Sequence, residues 1–165
     1  MAQTPIPQDI YNALYPAVGS LILNWALFES SIEKWVAIIY HNGGGKWIER
    51  KIPRMYSPKV KFLQKCFTER SELAPFKDQG NNLLDRAEPL SKVRFTVTHG
   101  AISDWDAKNN KVEFVRLDLD NSRSIHTIKP EWLSVQDVLD AGFGSIRLAR
   151  DSLSFCNDLL DAFKP

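Results

Sequence analysis

A cation and a proton-transfer group lie five residues apart near the middle of the chain, in the stretch Arg94-Phe-Thr-Val-Thr-His99-Gly100. A guanidinium can hold two phosphate oxygens at once, and an imidazole titrates near neutral pH. Such a histidine can take a proton from a ribose hydroxyl or give one to a leaving oxygen. Together these residue types could cleave RNA without a metal, which makes Arg94 and His99 the candidate catalytic pair.

The rest of the sequence offers little support for other kinds of site. It has no phosphate-binding loop of the Gly-x-x-x-x-Gly-Lys type, and Gly43-Gly44-Gly45 follows a helical pattern rather than a strand. The three histidines do not cluster in the sequence, so neither a metal site nor a cofactor is predicted. Four aspartates lie in or near the predicted hairpin: Asp104, Asp106, Asp118 and Asp120. They are interpreted as turn and solvent-facing residues, and a divalent-cation site is the less favoured alternative.

A basic segment provides a second candidate surface on a chain whose net charge is only +1. Between Lys46 and Lys65, seven basic residues face one acid, Glu49. Trp47 and Tyr56 lie among them and would either stack bases or pack in the core. An ordinary solvated surface is the alternative interpretation of the segment. Six basic residues are the candidate RNA-binding residues: Lys46, Arg50, Lys51, Arg54, Lys59 and Lys61.

Composition is that of one globular domain spanning residues 1–165, with 44% hydrophobic and 25% charged residues. Cys66 and Cys156 lie in apolar surroundings and are predicted to be core thiols in a reducing compartment. The first residues lack the basic region of a secretory signal. Polar residues and a proline interrupt the uncharged run Ile10–Phe28, which favours a buried or subunit-interface helix over a membrane span. We expect a cytoplasmic protein without a membrane partner.

The first third of the chain has the clearest helical pattern. Apolar residues recur at three- and four-residue steps from Leu21 to Ile39, and the glycines after His41 end the pattern. Pro16 is expected to start this helix or to kink it. Ser57-Pro58 predicts the N-cap and the first residue of a second helix that runs to about residue 70.

The segment that carries Arg94 and His99 is compatible with two secondary structures. A third helix is predicted upstream, kinked or restarted at Pro89, and Gly100 as a C-cap would end it at His99. The alternation of residues 93–98, with their four β-branched side chains, instead has the period of a strand. On an ideal helix the two candidate catalytic residues lie about 140° apart, so they share a face only if the last turn unwinds.

The remainder of the chain predicts a small β insertion and one more helix. Two strands around the turn Ala107-Lys-Asn-Asn110 form a predicted hairpin, and residues 124–129 would add a third short strand. Ser134-Val-Gln-Asp137 has the spacing of a capping box that opens the last helix. The predicted apolar face of that helix is Val138, Ile146, Leu153, Cys156, Leu160 and Phe163. The predicted fold is therefore mainly α, a four-helix up-and-down bundle with a β-hairpin insertion at about residues 101–129.

This layout, with Arg94-x4-His99 and Gly100 at the end of the third helix, resembles the HEPN superfamily. The long first helix with Trp25-Ala-Leu-Phe-Glu29 and the helix after the hairpin are similar to HEPN-type bacterial proteins. The resemblance implies a homodimer in which two copies of the motif meet, acting as a metal-independent endoribonuclease or RNA-binding protein in toxin–antitoxin systems or phage defence. RNA and an antitoxin or other protein would be its partners. His99 would be the general acid or base, and Arg94 would bind the scissile phosphate.

Phe95 departs from the family pattern. Active members usually carry a polar residue, often Asn, Asp or His, directly after the arginine, and a phenyl ring cannot orient a phosphate by hydrogen bonding. The alternative function is therefore a catalytically inactive HEPN-like module that acts through protein or nucleotide binding. A further alternative for the fold is an unrelated α+β domain in which residues 93–99 form a strand.

Overall fold

The computed structural model describes residues 5–120 and 125–164. That part of the chain is mainly α-helical, and it confirms the prediction of four helices with a small antiparallel sheet before the last one. The helices are α1 (Gln8–His41), α2 (Tyr56–Glu69), α3 (Lys77–His99) and α4 (Val135–Ala162). The strands are β1 (Ala101–Asp106), β2 (Lys111–Asp120) and β3 (Ile125–Ser134), and short 3₁₀ turns at Gly45–Trp47 and Ser71–Phe76 flank α2.

The chain divides into two compact units. Unit 1 combines Met1–Ile22 with Pro89–Ser145, and unit 2 combines Leu23–Glu88 with Ile146–Pro165. The end of α3 and the sheet therefore belong to unit 1, whereas the basic segment between α1 and α2 belongs to unit 2.

Two prolines lie inside helices. Pro16 is within α1 and Pro89 is within α3, so neither starts a new helix, and the expectation of a start at Pro16 is wrong. A proline inside a helix removes one backbone donor. Leu14 and Ala17, on either side of Pro16, are both buried in the unit 1 core, and this packing offsets the lost hydrogen bond.

The start of α2 differs from the one that Ser57-Pro58 predicts. The N-cap is Met55, which makes no side-chain capping hydrogen bond, and Tyr56 is the first helical residue. The ring centroid of Tyr56 lies 5.2 Å from that of Trp25 and 6.4 Å from that of Phe28. Tyr56 is helical because the free energy of this aromatic packing outweighs that of a serine cap at residue 57, which is about 1 kcal/mol.

Residues 93–99 form the last part of α3, so the strand alternative is wrong. Each threonine hydroxyl lies within hydrogen-bonding distance of the carbonyl four residues earlier, at 2.6 Å for Thr98 and 3.1 Å for Thr96. Val93 and Val97, one helical turn apart, pack against the unit 1 core. The alternation of polar and apolar side chains suggests a strand, but in the helix the threonines still find hydrogen-bond acceptors and the valines still pack against the core.

The sheet is antiparallel, in the order β1-β2-β3. β1 pairs with β2 from Ala101 opposite Val115 to Asp106 opposite Lys111, so β2 continues beyond β1 from Arg116 onward. The predicted hairpin is confirmed. The unit 1 core cluster contains Leu14, Ala17, Trp105, Val112, Phe114, Val135 and Val138.

The third strand is longer than predicted and leads directly into α4. β3 pairs with β2 and extends to Ser134, beyond the predicted end at residue 129, while residue 124 lies outside the described residues. In the described sheet β3 is an edge strand, which suits Pro130, because a central strand needs the donor that proline lacks. The Asp137 N–H donates to Ser134 Oγ at 2.9 Å and the Ser134 N–H donates to Asp137 Oδ2 at 3.1 Å, which confirms the capping box.

The predicted apolar face of α4 is only partly correct. Val138 and Cys156 are buried, whereas Ile146, Leu153 and Leu160 are exposed. The helix instead buries Leu148, Ala149, Phe155 and Leu159. Because α4 carries apolar side chains on more than one face, periodicity alone does not identify the buried one. In unit 2, aromatic packing determines which face of α4 is buried: the ring centroids of Phe155 and Trp35 lie 4.7 Å apart.

Candidate functional site

The end of α3 is the position where the sequence predicts chemistry. His99 is the last residue of the helix and is exposed. The Gly100 N–H donates to the Thr96 carbonyl at 2.8 Å and closes the last turn. A Cβ on Gly100 would lie 2.8 Å from that carbonyl and 2.9 Å from the Cβ of Phe114. Glycine is therefore required by the close approach of both the Thr96 carbonyl and β2, and not by its backbone conformation, since its φ does not lie in the left-handed region.

Three side chains meet at this helix end and form what we call the His99 cluster: His99, Phe95 and Arg116. The ring centroids of Phe95 and His99 lie 4.7 Å apart. The guanidinium carbon of Arg116, from β2, lies 4.7 Å from the centroid of the same phenyl ring. The negative face of an aromatic ring attracts a cation in this position. With Leu117, the cluster lines an open pocket of about 500 Å³.

Arg94, the other candidate catalytic residue, is half-buried and is not among the residues that line this pocket. Because α3 remains helical through His99, the side chains of Arg94 and His99 leave the helix about 140° apart. Phe95, four residues before His99, shares its face instead. The structure therefore brings His99 together with Arg116 rather than with Arg94.

A partly buried hydrogen bond fixes the helix end to the sheet. Thr96 is 3% exposed, and its hydroxyl donates to the Glu131 carboxylate of β3 at 2.7 Å. A hydrogen bond to an ionised group is stronger than one between neutral groups. Arg116 of β2 contacts Phe95, the residue before Thr96 in the helix. Two strands thus hold the last turn of α3 in a defined position.

Arg116 is the site residue that the sequence analysis misses, although the hairpin pattern carries a signal for it. With a turn at residues 107–110, regular antiparallel pairing would set Ala101 opposite Arg116, and a register shift between Ile102 and Asp104 sets it opposite Val115 instead. The residue after Val115 then lies beside Gly100, next to the candidate histidine. The contact of the arginine with the Phe95 ring depends on tertiary packing and has no counterpart in the sequence pattern.

The predicted RNA-binding residues lie in unit 2, in the segment between α1 and α2 and in the first turns of α2. Five of the six are exposed, namely Lys46, Arg50, Lys51, Arg54 and Lys61. Lys59 is 9% exposed, and its Nζ lies 2.8 Å from Oε1 of Glu33. Lys59 therefore connects α2 to α1 through an ion pair, and its charge is already matched.

Two adjoining pockets lie beside the exposed cations of this segment. Lys51, Ile52 and Arg54 line an open pocket of about 690 Å³. Ile52 and Arg54 also border a pocket of about 260 Å³ that reaches α1 and α2. We call these two pockets together the basic groove. The Tyr40 hydroxyl donates to the Arg50 carbonyl at 2.9 Å and fixes the chain at one end of the groove.

The two aromatic residues of the basic segment have different environments. Trp47 is 73% exposed, and the Lys46 ammonium lies 5.5 Å from the centroid of its ring. Tyr56 packs against Trp25 and Phe28, and burial raises the pKa of its hydroxyl to about 12. Of the two, Trp47 is available for base stacking, and Tyr56 belongs to the core.

Other site chemistries find no geometric support in the described part of the chain. Within residues 5–120 and 125–164, no group of three or more histidine, cysteine or carboxylate side chains could hold a metal ion. Cys66 and Cys156 are buried, and burial raises the pKa of the Cys66 thiol to about 12, which keeps it protonated. No described helix combines the length and the apolar character that a bilayer span requires.

Fold and site together define a mainly α-helical protein with an exposed histidine–phenyl–guanidinium cluster where its third helix meets a three-stranded sheet. Comparison of the chain with models of known families, with curated proteins and with solved structures finds no match. The resemblance to the HEPN superfamily rests on the sequence pattern alone.

Proposed function

We propose that the protein binds RNA at the His99 cluster and cleaves it there without a metal ion. The observation that supports the proposal is the contact of a titratable imidazole and a guanidinium with the same aromatic ring, in an open pocket. These are the residue types that the sequence motif provides for proton transfer and phosphate binding. In the proposal, Arg116 takes the role that the motif assigns to Arg94.

Cleavage would use the ribose 2′-hydroxyl as the nucleophile. His99 takes the proton of that hydroxyl, the 2′-oxygen bonds to phosphorus, and the bond from phosphorus to the 5′-oxygen breaks. The products are a 2′,3′-cyclic phosphate and a 5′-hydroxyl. Arg116 stabilises the negative charge that gathers on the non-bridging phosphate oxygens. The leaving 5′-oxygen also needs a proton, and the proposal includes a homodimer because a second His99 would supply it.

The test is an RNA cleavage assay in excess chelator with single-substitution variants. We expect His99→Ala to lower the cleavage rate by roughly 10²–10⁴-fold, since it removes the proton-transfer group. Arg116→Ala should cost about 10²-fold through the loss of charge stabilisation, and Arg94→Ala should cost less. A substrate with a 2′-deoxyribose at the cleavage position should be resistant. Cleavage at the wild-type rate by His99→Ala would refute the proposal.

A binding module without catalysis is the second candidate, and Phe95 is the observation that favours it. Its ring occupies the position at which the family pattern has a polar residue, and it contacts both His99 and Arg116. In this case the wild-type protein binds RNA or a nucleotide and does not cleave it, and Arg116→Ala weakens binding. The cleavage assay and a binding measurement on the same variants separate the two candidates.

A further inference from the structure

We infer that unit 2 carries a second RNA-binding surface, in which Lys51 and Arg54 bind phosphates of a single strand in the basic groove and Trp47 stacks one of its bases. The inference depends on the proposed function for the identity of the ligand, but it concerns different residues. It therefore predicts a second set of RNA contacts, made by residues outside the His99 cluster.

The charge of the groove is the first argument. Lys59 at its inner wall is buried and is matched by Glu33 at 2.8 Å, so this pair adds no net charge. Lys51 and Arg54 line the open part and are exposed. Neither forms a salt bridge with any residue that the structure describes. The groove thus presents two positive charges to a ligand, which suits a polyanion whose phosphates repeat along a strand.

The anchoring of the segment is the second argument. The Tyr40 hydroxyl holds the Arg50 carbonyl at 2.9 Å just before the two cations. Pro53, between them, is buried, and the Met55 carbonyl accepts a hydrogen bond of 3.0 Å from the Lys59 N–H just after them. The backbone that carries Lys51 and Arg54 is therefore fixed before a ligand arrives. Binding then costs less ordering entropy than it does on an unanchored lysine-rich loop.

The exposure of Trp47 is the third argument, and it selects the class of ligand. Its indole ring is 73% exposed, although tryptophan is highly buried on average. Trp47 belongs to the same basic segment as the groove, and the Lys46 ammonium lies 5.5 Å from the centroid of its ring. Exposed aromatic rings among basic residues are typical of single-strand binding, because an unpaired base can stack on them. In a duplex the bases are already paired and stacked on one another. An acidic peptide would use the cations but would gain nothing from a stacking surface.

The experiment measures binding of a single-stranded oligoribonucleotide that is 2′-O-methylated throughout and so cannot be cleaved. Affinity is determined by fluorescence anisotropy at several salt concentrations for the double variant Lys51→Ala/Arg54→Ala. Two lost phosphate contacts should reduce the slope of log K against log salt by about 1.4, at about 0.7 for each contact. The matched control is Lys77→Ala/Arg147→Ala, which removes the same charge from exposed helical positions and should leave the slope unchanged.

Tryptophan fluorescence provides a second readout of the same complex. RNA should quench the emission of the wild-type protein, and Trp47→Leu should abolish most of this quenching. Trp132→Leu is the control, because Trp132 is also exposed, at 40%, but belongs to β3 in unit 1. Circular dichroism of each variant checks that it is folded.

An unchanged salt slope in Lys51→Ala/Arg54→Ala, or quenching that persists in Trp47→Leu, overturns the inference. Equal affinity for a duplex, or tighter binding of a polyglutamate peptide than of the oligoribonucleotide, also overturns it. These results are independent of the cleavage assay. If His99→Ala cleaves normally while the groove variants lose RNA binding, the proposed function fails and the second surface stands.

Discussion

The helices α1 and α3 end in similar ways and yet produce different surfaces. Each ends at an exposed histidine with an aromatic neighbour. The ring centroids of His41 and Tyr40 lie 5.1 Å apart, and those of His99 and Phe95 lie 4.7 Å apart. After α3, a hairpin returns Arg116 to the aromatic ring. After α1, the chain continues as the basic segment of unit 2, whose cations lie along a groove.

The difference lies in what the following segment places beside the aromatic side chain. Beside Phe95 it is a guanidinium, which can stabilise an anion. The hydroxyl of Tyr40 instead donates a hydrogen bond to the carbonyl of Arg50, and a carbonyl oxygen cannot stabilise an anion. In the described part of the chain, no arginine lies over the Tyr40 ring. In the proposed function, a histidine and an aromatic residue at a helix end are insufficient, and a guanidinium from another element is also required.

The largest expected difference between the two helix ends is in RNA cleavage. His41→Ala should change the cleavage rate less than twofold, whereas His99→Ala should lower it by roughly 10²–10⁴-fold. Both histidines are exposed, so neither substitution should change the thermal unfolding midpoint appreciably. The measurement is single-turnover cleavage in chelator. Equal losses in the two variants would show that Arg116 does not distinguish the two sites.

A smaller effect is expected from adding one methyl group where α3 meets the sheet. Gly100→Ala places a Cβ 2.8 Å from the Thr96 carbonyl and should lower the free energy of unfolding by about 1–3 kcal/mol. Gly19→Ala, in α1 of the same unit, meets no atom within 4 Å and should raise it by about 0.5–1 kcal/mol. Urea unfolding measures both. A neutral Gly100→Ala would mean that the Thr96 carbonyl and β2 can shift to make room for a Cβ at this position.

Substitution of Phe95, whose ring contacts both His99 and Arg116, should have a modest effect on RNA cleavage. Phe95→Leu removes the cation–π contact with Arg116, and an exposed contact of this kind is worth about 0.5–1 kcal/mol. We therefore expect cleavage to fall about 2–5-fold, mainly through weaker binding of RNA. Phe95→Tyr keeps the aromatic face and should retain wild-type activity. Full activity in Phe95→Leu would show that the ring does not position the arginine.

The smallest effect is expected at the end of α1. Tyr40→Phe removes the hydrogen bond to the Arg50 carbonyl and should cost about 0.5–1 kcal/mol of unfolding free energy. Binding of the uncleavable oligoribonucleotide should weaken, because the backbone before Lys51 is no longer fixed. Cleavage of a dinucleotide substrate, whose single internucleotide phosphate is the one that is cleaved, should not change. A loss in the dinucleotide assay would contradict the separation of the two surfaces.

Features decided by neighbouring residues in the sequence were predictable. The capping box at Ser134 and the hairpin around residues 107–110 depend on side chains and backbone only a few residues apart, and both are confirmed. The end of α3 at His99 follows from the glycine after it, although that glycine is required by close contacts with the Thr96 carbonyl and β2 and not by a left-handed backbone.

Features decided by distant packing were not predictable. The first residue of α2 is set by contacts of Tyr56 with aromatic rings of α1, which outweigh the local Ser57-Pro58 signal. The same holds for Lys59, which lies between the exposed cations Arg54 and Lys61 in the sequence but forms an ion pair with Glu33 of another helix. Arg116 joins the site for the same kind of reason, because its ring contact crosses from β2 to α3.

The edge strand β3 has a consequence for how the protein behaves at high concentration. A ten-residue edge with exposed Ile128 and Trp132 could template another chain and begin a fibrous aggregate. Pro130 lies between these two residues, and its missing amide hydrogen leaves a gap in the row of donors that a further strand needs. The charged side chains of Lys129 and Glu131 flank the proline, and a copy docking edge to edge must desolvate them. The strand that helps to hold the His99 cluster therefore also protects the chain against growing its sheet from one molecule into the next.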